Sequence, residues 1–503
     1  MPRSCKLLLL PLAFLLAGWF SLFALHRFID ADEGFYLLAA RLVVLHRTPY
    51  LDFFYQQAPL LPYVYAGWLK LFGVTWVAAR MLAAVLSTAL GLLVVEHVCH
   101  ETRRWQSGLA AALLFACSTT ISAWFPVAKT FSLSILPLFA AYMIAARLLP
   151  ETPLWLVALS GAFCALSVDT RLYLVVLGPI LLGWILWLSP VRRVARGFSF
   201  VGGFVAGLLP CLILFAASPR VFLFDNLGFH ARRTDAGLIG FYNWKLHILK
   251  LVLTGNEENG LQFTMVALTG LVLLLVLRRW RSGAVLAFLI ALAIAVVSIL
   301  PTPPNTQYFS ACMPFLIVAA VCAASEYLES ASAPGRRLLV AVASLFAVVF
   351  LVLTVSGVRN YLMTGDHMIG VAGRRDAPNW SFARVRAVSG IVDQLAAPGE
   401  EIVSVWPGYL FESRALPYPG FENDYGRAVS DKITAEERLQ YHLLSKAEVE
   451  LCLAAHGPRI VVVGNQGNSR GPVLKDAALL ESDGYRFVER VGVTLIYAYD
   501  GQR

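Results

Sequence analysis

Charged side chains are scarce in this chain: they make up 15% of its 503 residues, whereas 58% are hydrophobic. An average soluble domain carries roughly a quarter charged residues. The apolar residues also form unbroken runs of about 20, the length that crosses a lipid bilayer. The composition therefore excludes a large soluble enzyme and predicts a polytopic membrane protein.

Patterns that pair cysteines or bind metal are lacking as well. The sequence has eight cysteines but no CxxC pair and no Cys/His spacing typical of a zinc site. Cys452 is alone in the polar C-terminal region, which excludes a disulfide framework there. The net charge of +9 comes from basic residues in a few short loops. It therefore indicates membrane topology and predicts no nucleic-acid partner.

Long apolar runs predict eleven transmembrane helices. The first run follows a basic N-terminus and has no small-residue cleavage site, which favours an uncleaved helix over a signal peptide. The aromatic segment 59–73 is too short to span and predicts an interfacial or re-entrant helix. The predicted spans are residues 7–26, 76–98, 108–123, 127–148, 153–168, 171–189, 197–217, 261–278, 282–300, 308–325 and 337–358.

Basic loops alternate along the chain with loops poor in lysine and arginine. The positive-inside rule places the basic loops and the N-terminus in the cytoplasm. The acids after the first span, the loop 218–260 and the C-terminal region are then expected outside the cytoplasm. The basic loops contain residues 103–104, 192–196, 278–281 and 336–337.

The composition becomes more polar near residue 359, which predicts two domains. A transmembrane domain covers 1–358, with a first exterior loop at 27–75, and a small α/β domain covers 359–503. The glycines of "GNQGNSRG" at 464–471 lack the Lys-Ser/Thr ending of a phosphate loop and predict a surface loop. The predicted strands are "EEIVSVW", "RIVVVGN", "YRFVERVG" and "VTLIYAYD", with helices near 381–397, 433–456 and 473–482.

Three acids stand within four residues just after the first span: Asp30, Asp32 and Glu33. In a helix, Asp32 would share a face with Tyr36, and Glu33 would point elsewhere. One explanation is structural, because acids in the first turn cap N–H groups and complement the helix dipole. That explanation accounts for one acid better than for three, so a chemical role stays open.

The same loop continues as "PYLDFFYQQAPLLPY", in which aromatic rings alternate with polar groups. Rings stack on the C–H faces of a sugar, while carboxylates and amides bind its hydroxyls. An aromatic belt at the membrane interface explains the rings alone. It does not require Asp52, Gln56 or Gln57. The predicted sugar- or acceptor-binding residues are Tyr36, Tyr50, Asp52, Gln56, Gln57 and Asp169.

Several cations are expected near the same outer face. Charged residues at membrane depth are rare and usually functional or paired. Arg80 and Lys129 have no acid close by in sequence, whereas Arg171 can pair with Asp169. Arginines in the loop 218–260 are equally explained as solvated charge. The predicted ligands for a donor phosphate are Arg80, Lys129, Arg171, His230 and Arg232.

Carboxylates, sugar-compatible groups and cations at the headgroup level suit a lipid-linked phosphosugar donor. Cations neutralise the departing phosphate, and one carboxylate takes the proton of the acceptor hydroxyl as a general base. A glycosidase needs an acid to protonate its leaving group. Phosphate leaves readily, so a base is sufficient here.

The stretch "DADEGFYLLAARLVVLHRTPYLDFFYQQAPLLPYVYAGWLKLFG", followed by Arg80, resembles the GT-C membrane glycosyltransferases. It is most similar to bacterial members of glycosyltransferase family 39, the RgtA/B/C/D-like group. These are relatives of protein O-mannosyltransferase and lipid A aminoarabinose transferase. Two further segments show a weaker resemblance to this family: "FPVAKTFSLSILPLF" and "PTPPNTQYFSACMPFL". The resemblance covers residues 7–325 and does not place the C-terminal domain.

The resemblance implies an α-helical GT-C fold, a polyprenyl-phosphate sugar donor and inversion at the anomeric carbon. It implies an exterior active site in a bacterial cytoplasmic membrane, with Asp32 as base and Glu33 as its helper or an acceptor ligand. A second exterior acid recurs in such enzymes, and Asp52 and Asp169 stay open for that role. Some members use a divalent cation and others do not; Asp32 and Asp169 are the ligands considered for one. Besides the donor, membrane lipids are the expected partners of a monomer.

Two other functions stay open at this point. A transporter or flippase of lipid-linked sugars is expected to have internal repeats and ionisable residues near the middle of the membrane. The sequence shows no clear two-fold repeat, and its notable charges lie at the ends of spans. A scaffold with a binding domain leaves the acids of the first loop unexplained.

Overall fold

The computed structural model describes residues 2–234, 240–255, 260–364, 377–464 and 477–501. In this part of the chain helices predominate, and a small sheet lies near the C-terminus. The α-helices are α1 Arg3–His26, α2 Ala31–Val44, α3 Leu60–Phe72, α4 Trp76–Thr102, α5 Trp105–Cys117, α6 Thr119–Trp124, α7 Thr130–Ala146, α8 Leu154–Val168, α9 Leu177–Trp187, α10 Arg193–Gly207, α11 Leu209–Ala217, α12 Pro219–Leu223, α13 Phe229–Arg232, α14 Tyr242–Thr254, α15 Leu261–Leu277, α16 Gly283–Ile299, α17 Met313–Ser330, α18 Ala333–Thr364, α19 Phe382–Leu395, α20 Arg427–Ser430, α21 Ala435–Gln440, α22 Lys446–Ala454 and α23 Ala477–Ser482.

Shorter helical turns and five strands complete these elements. The 3-10 turns are Leu172–Val176, Thr306–Cys312, Ala377–Trp380, Pro407–Leu410 and Asp424–Gly426, and Phe224–Gly228 is a π-helical turn. The strands are β1 Glu401–Ser404, β2 Leu416–Pro417, β3 Ile460–Val463, β4 Arg486–Val491 and β5 Thr494–Ala498. The predicted helical membrane protein with a small C-terminal α/β region is thereby confirmed. The predicted surface loop at 464–471 lies outside the described residues after Gly464.

The chain forms two compact units, each assembled from separate stretches. The first unit comprises Met1–His26, Ala83–Leu209 and Ala236–Gly373. The second unit comprises Arg27–Leu82, Pro210–Asp235 and Arg374–Arg503. The loop that carries the acids therefore belongs to the same unit as the C-terminal sheet. The predicted domain boundary at residue 358 stays a prediction.

Helices occupy the predicted spans. Among the described residues, α1, α4, Thr306–Ser330 and α18 are long and apolar enough to cross a membrane, and α10 with α11 forms a pair bent by 54°. The number of eleven spans stays a prediction, because the other apolar helices have only 10–17 residues. The predicted interfacial segment 59–73 is the helix α3. The shorter apolar helices are Trp105–Cys117, Thr130–Ala146, Leu154–Val168, Leu172–Trp187, Leu261–Leu277 and Gly283–Ile299.

Within the first unit, α8 and α10 approach each other closely through glycines. A Cβ on Gly203 would lie 1.8 Å from the carbonyl oxygen of Ala158, and one on Gly161 would lie 2.1 Å from that of Phe200. Small residues that let backbones touch are typical of packed membrane helices. A cavity of about 750 Å³ also lies in this unit, lined mainly by apolar side chains of α5, α17 and α18. None of the predicted site residues lines it.

The sheet of the second unit has the strand order β2-β1-β3-β5-β4. Strand β1 pairs in parallel with β2 and β3, whereas β5 is antiparallel to both β3 and β4. The β-branched run "IVVV" of β3 suits a buried central strand. Short helices around the sheet begin at capping boxes, in which Thr434 pairs with Glu437 and Ser445 with Glu448.

Candidate active site

The acidic cluster begins α2, and its first member caps that helix. Asp30 is the N-cap residue, and its carboxylate accepts a hydrogen bond from the N–H of Asp32 at 3.1 Å. The carboxylate of Glu33 reaches back and accepts from the N–H of Asp30 at 2.8 Å. The two acids form a capping box, an arrangement that satisfies orphan donors at a helix start. The capping role considered for Asp30 is therefore what the structure shows.

Glu33 is also one half of a buried ion pair. Its two carboxylate oxygens accept hydrogen bonds of 2.5 Å from Nε and Nη2 of Arg80, and both side chains are fully buried. The guanidinium further donates to the carbonyl oxygens of Arg27 and Phe28 at 3.1 Å. A bidentate arginine–carboxylate pair is among the stronger charge-assisted contacts. The predicted phosphate ligand Arg80 is thus engaged with Glu33 and with the chain just before α2.

Asp32 is partly open to solvent, whereas the next residue, Glu33, is buried. Its Oδ1 accepts a hydrogen bond of 2.5 Å from the hydroxyl of Tyr425, which lies in the C-terminal part of the same unit. Burial, followed by the charges of Asp32 and Asp424, raises the pKa of the Tyr425 hydroxyl well above its ordinary value. This hydroxyl therefore stays protonated and serves as a donor to the carboxylate.

The segment that carries Tyr425 is fixed to the first loop. The Asn423 amide donates to Oε1 of Gln56, and the Tyr425 ring packs edge-on against Phe35 with 5.5 Å between ring centroids. The Gln56 carbonyl oxygen in turn lies 3.1 Å from Nε2 of His230. Burial, with a smaller effect of the Arg233 charge, lowers the pKa of His230 to about 4. The imidazole is therefore neutral near pH 7 and donates through Nε2.

The remaining polar side chains of the first loop divide between interior and surface. Tyr50 is fully buried and donates to the carbonyl oxygen of Gln57, and Tyr36 is 5% exposed. Asp52 is exposed, and its Oδ2 accepts from the N–H of Thr48 at 2.6 Å. The structure thus shows contacts within the protein for several predicted sugar ligands, and their sugar-binding roles stay predictions.

A buried acid from the stretch 210–235 supports this loop. The N–H of Tyr55 donates to Oδ2 of Asp225 at 2.9 Å, and Asp225 is fully buried in the π-helical turn Phe224–Gly228. Burial raises the pKa of Asp225 well above its ordinary value, and the hydrogen bond from Tyr55 opposes that shift. Arg232 is exposed, and its guanidinium lies 5.8 Å from the Phe224 ring.

Tryptophan 406 contacts the start of the acidic helix. The indole N–H of Trp406 donates to the carbonyl oxygen of Ala31 at 2.9 Å. A Cβ on Gly34 would lie 2.6 Å from the indole nitrogen and 2.9 Å from the backbone nitrogen of Gly408. The glycine that follows "DADE" is therefore what lets the C-terminal region approach α2. Farther along this helix, Arg41 donates to the carbonyl oxygens of Leu410 and Ala415.

Sequence reasoning did not find Asn423, Tyr425 or Trp406. They lie 367 to 393 residues from their partners in the first loop. The signal that could have drawn attention to two of them is the polar run "ENDYGR" at 422–427, between the hydrophobic residues Phe421 and Val429.

Three of the predicted residues belong to the first unit. Lys129 precedes α7, is 3% exposed, and places Nζ 5.1 Å from the centre of the Trp124 ring. Asp169 is fully buried directly after α8. The guanidinium of Arg171 lies 4.5 to 5.4 Å from the ring centres of Phe131, Tyr173 and Tyr308. Buried cations near span ends favour a functional role, which stays a prediction.

The donor set for a divalent cation is not assembled by the side chains that the structure describes. In that part of the chain, no three His, Cys, Asp or Glu side chains converge in a way that could hold one. Asp32 and Asp169, the two ligands considered from the sequence, belong to different units. Within the described ranges, the side chains form no recognisable metal site.

The sequence matches no protein-family model, and no curated protein is similar to it. Its fold, however, is similar to that of ArnT from Cupriavidus metallidurans. With ArnT bound to undecaprenyl phosphate the TM-score is 0.64 at 15% identity, over 100% of both chains. With ArnT in the apo state it is 0.62 at 17% identity, over 99% of both chains. ArnT is a GT-C protein, so the predicted GT-C fold is confirmed.

Proposed function

We propose that this chain is an inverting membrane glycosyltransferase. It moves a single sugar from a polyprenyl-phosphate carrier to an acceptor outside the cytoplasm. The fold supports this proposal, because the similar ArnT structure binds undecaprenyl phosphate. We further propose that residues 1–358 form a transmembrane domain and residues 359–503 an exterior domain. The protein is then a monomer in a bacterial cytoplasmic membrane.

The observation that carries the proposal is that the three acids of the first loop have different contacts. Asp30 caps α2, and Glu33 is committed to Arg80 in a fully buried pair. Asp32 is held by a neutral hydroxyl and is partly open to solvent. A general base must reach the proton it removes. We therefore assign that role to Asp32, with Glu33 as a positioning residue.

The proposed reaction is a single displacement. The acceptor hydroxyl oxygen attacks the anomeric carbon, and a new carbon–oxygen bond forms on the face opposite the phosphate. The bond between the anomeric carbon and the phosphate oxygen breaks, and polyprenyl phosphate leaves with the electron pair. Asp32 receives the proton of the acceptor hydroxyl. One displacement inverts the configuration, and no acid is needed for the leaving group.

The donor phosphate needs cations to neutralise it. The Arg80 guanidinium is bound to Glu33 and to two backbone carbonyls, so we assign it to holding the start of α2. Lys129 and Arg171, both buried cations of the first unit, stay the principal candidates for the phosphate. His230 and Arg232 stay weaker candidates, because His230 is neutral and Arg232 is exposed.

The proposal is tested with the purified full-length protein in proteoliposomes. Undecaprenyl phosphate linked to radiolabelled hexoses, pentoses or aminopentoses serves as donor, one per sample, and bacterial envelope membranes serve as acceptor. We expect one donor to yield labelled product and free undecaprenyl phosphate. Asp32→Asn should reduce transfer by about 10² to 10⁴-fold, the usual contribution of a general base.

Asp431→Asn is the matched control, because Asp431 is exposed and an asparagine keeps the oxygen that accepts from the Lys446 N–H. Wild-type transfer by a folded Asp32→Asn variant would contradict the assignment of the base. Movement of intact lipid-linked sugar across the bilayer without release of the carrier would instead identify a flippase.

A further inference from the structure

We infer that Tyr425 is a positioning residue for the carboxylate of Asp32, so that the C-terminal region completes the catalytic centre. This inference rests on the proposed function, because it concerns the residue assigned as the base. Its starting point is the 2.5 Å hydrogen bond from the Tyr425 hydroxyl to Oδ1 of Asp32. The two residues are 393 positions apart in the chain.

The hydrogen bond acts on both the orientation and the charge of the base. A carboxylate whose one oxygen is held by a donor has a fixed rotamer, and its second oxygen is then aimed in one direction. A hydrogen bond donated to the charged form also stabilises that form relative to the protonated one. Tyr425 therefore holds the carboxylate of Asp32 in one orientation before the acceptor binds.

Tyr425 is itself held from two sides. On one side, the Asn423 amide donates to Gln56, and the Asn423 Oδ1 accepts from the Tyr425 N–H at 3.1 Å. On the other side, the guanidinium of Arg427 donates to the carbonyl oxygen of Val405 at 2.9 Å, just after β1. The segment 422–427 is thus fixed both to the first loop and to the sheet, and Tyr425 cannot shift without breaking one of these contacts.

The charged groups around this hydrogen bond also matter for its pH dependence. Asp30 and Glu33 lie on α2, Arg80 on α4, and Asp424 on the C-terminal segment. Glu33 is paired with Arg80, Arg27 Nη2 lies 3.9 Å from the Asp30 carboxylate, and the charges of Asp30 and Asp424 both act on the tyrosine. Among these charged groups the Tyr425 hydroxyl is a neutral donor to Asp32.

The inference is tested first by the pH profile of Tyr425→Phe. We expect the acidic limb of kcat/KM to move to higher pH by about one unit, with a roughly tenfold loss below the limb, because the charged form of the carboxylate loses a hydrogen bond that favours it. Above the limb the rate should stay within a few-fold of the wild type. Tyr418→Phe is the matched control: its hydroxyl accepts from Cys452 at 2.8 Å in the same unit. A uniform drop with an unchanged limb would show that Tyr425 has only a packing role.

A second measurement does not depend on activity. Thermal unfolding midpoints of Tyr425→Phe, Asp32→Ala and the double variant form a double-mutant cycle. We expect the double variant to lose less than the sum of the two single losses, because both remove the same hydrogen bond. Additive losses would overturn the inference, even in an active enzyme. Absence of transfer by the wild-type protein with any donor would overturn the proposed function instead.

Discussion

The carboxylate of Glu33 and the guanidinium of Arg80 are joined by two hydrogen bonds of 2.5 Å, and neither side chain is exposed to solvent. The same carboxylate also closes the capping box of α2 through the N–H of Asp30. The start of α2 is therefore fixed by Glu33, which is bound to both Arg80 and the N–H of Asp30. Its neighbour Asp32 accepts a hydrogen bond from Tyr425 and is the acid that we propose as the base.

Breaking this ion pair is expected to destabilise the second unit. Glu33→Gln leaves the Arg80 charge uncompensated, and removing one partner of a buried pair typically costs about 3–5 kcal/mol. Arg80→Lys keeps a charge but loses the two-nitrogen fork that matches a carboxylate. Both variants should lower the thermal unfolding midpoint of the purified protein in detergent, whereas Arg384→Lys at an exposed arginine should not. An unchanged unfolding midpoint together with a raised KM for the donor would instead indicate that Arg80 binds the donor phosphate.

Gly34→Ala is expected to disturb the contact between α2 and Trp406. The added Cβ would stand 2.6 Å from the indole nitrogen and 2.9 Å from a backbone nitrogen of Gly408. Overpacking of this kind typically costs about 1–3 kcal/mol. We expect a lower unfolding midpoint and reduced transfer. Gly67→Ala in α3 is the control, because its Cβ would meet nothing within 4 Å; equal behaviour of the two variants would contradict the close contact.

Glu422→Gln is expected to stabilise the protein at alkaline pH. Burial raises the pKa of Glu422 from 4.5 to about 7. Because its pKa is raised in the folded state, the contribution of Glu422 to the free energy of unfolding is complete below pH 4.5. That contribution is lost as the pH rises through 7. Glutamine cannot ionise and still accepts the Gly420 N–H, so the gain should reach about 3 kcal/mol above pH 8. Unfolding midpoints at pH 5 and pH 8.5 check this, with exposed Glu436→Gln as control. An equal effect at both pH values would contradict it.

Lys129→Gln tests the phosphate role in the first unit. Removing a cation that binds donor and transition state alike should raise KM about tenfold and change kcat little. The kinetics of transfer at varied donor concentration measure both constants. Lys70→Gln is the control, since Lys70 is exposed at the end of α3. A fall in kcat that saturating donor does not restore would show that Lys129 serves another purpose.

The sequence was sufficient for those features that depend on local pattern. Long apolar runs marked the helices, and acids at a helix start marked α2, because bilayer thickness and capping act over short stretches of chain. The partners of these acids were not visible in the same way. Tyr425 and Trp406 meet α2 across more than 370 residues, and their neighbourhood in sequence carries no motif. Arg80 was noted as a cation without an acid close in sequence, yet Glu33 lies against it because the chain returns after 47 residues.

The second unit is built from three stretches of chain, and its order of synthesis has a consequence for the living cell. Asp32 is made early, but Tyr425 follows 393 residues later. At about 5–20 residues per second, the ribosome needs roughly 20–80 s to cover that interval. During this time Asp32 has been made but its hydrogen-bond partner has not. The nascent protein therefore passes through a stage in which the start of α2 lacks its hydrogen bond to the C-terminal part of the second unit.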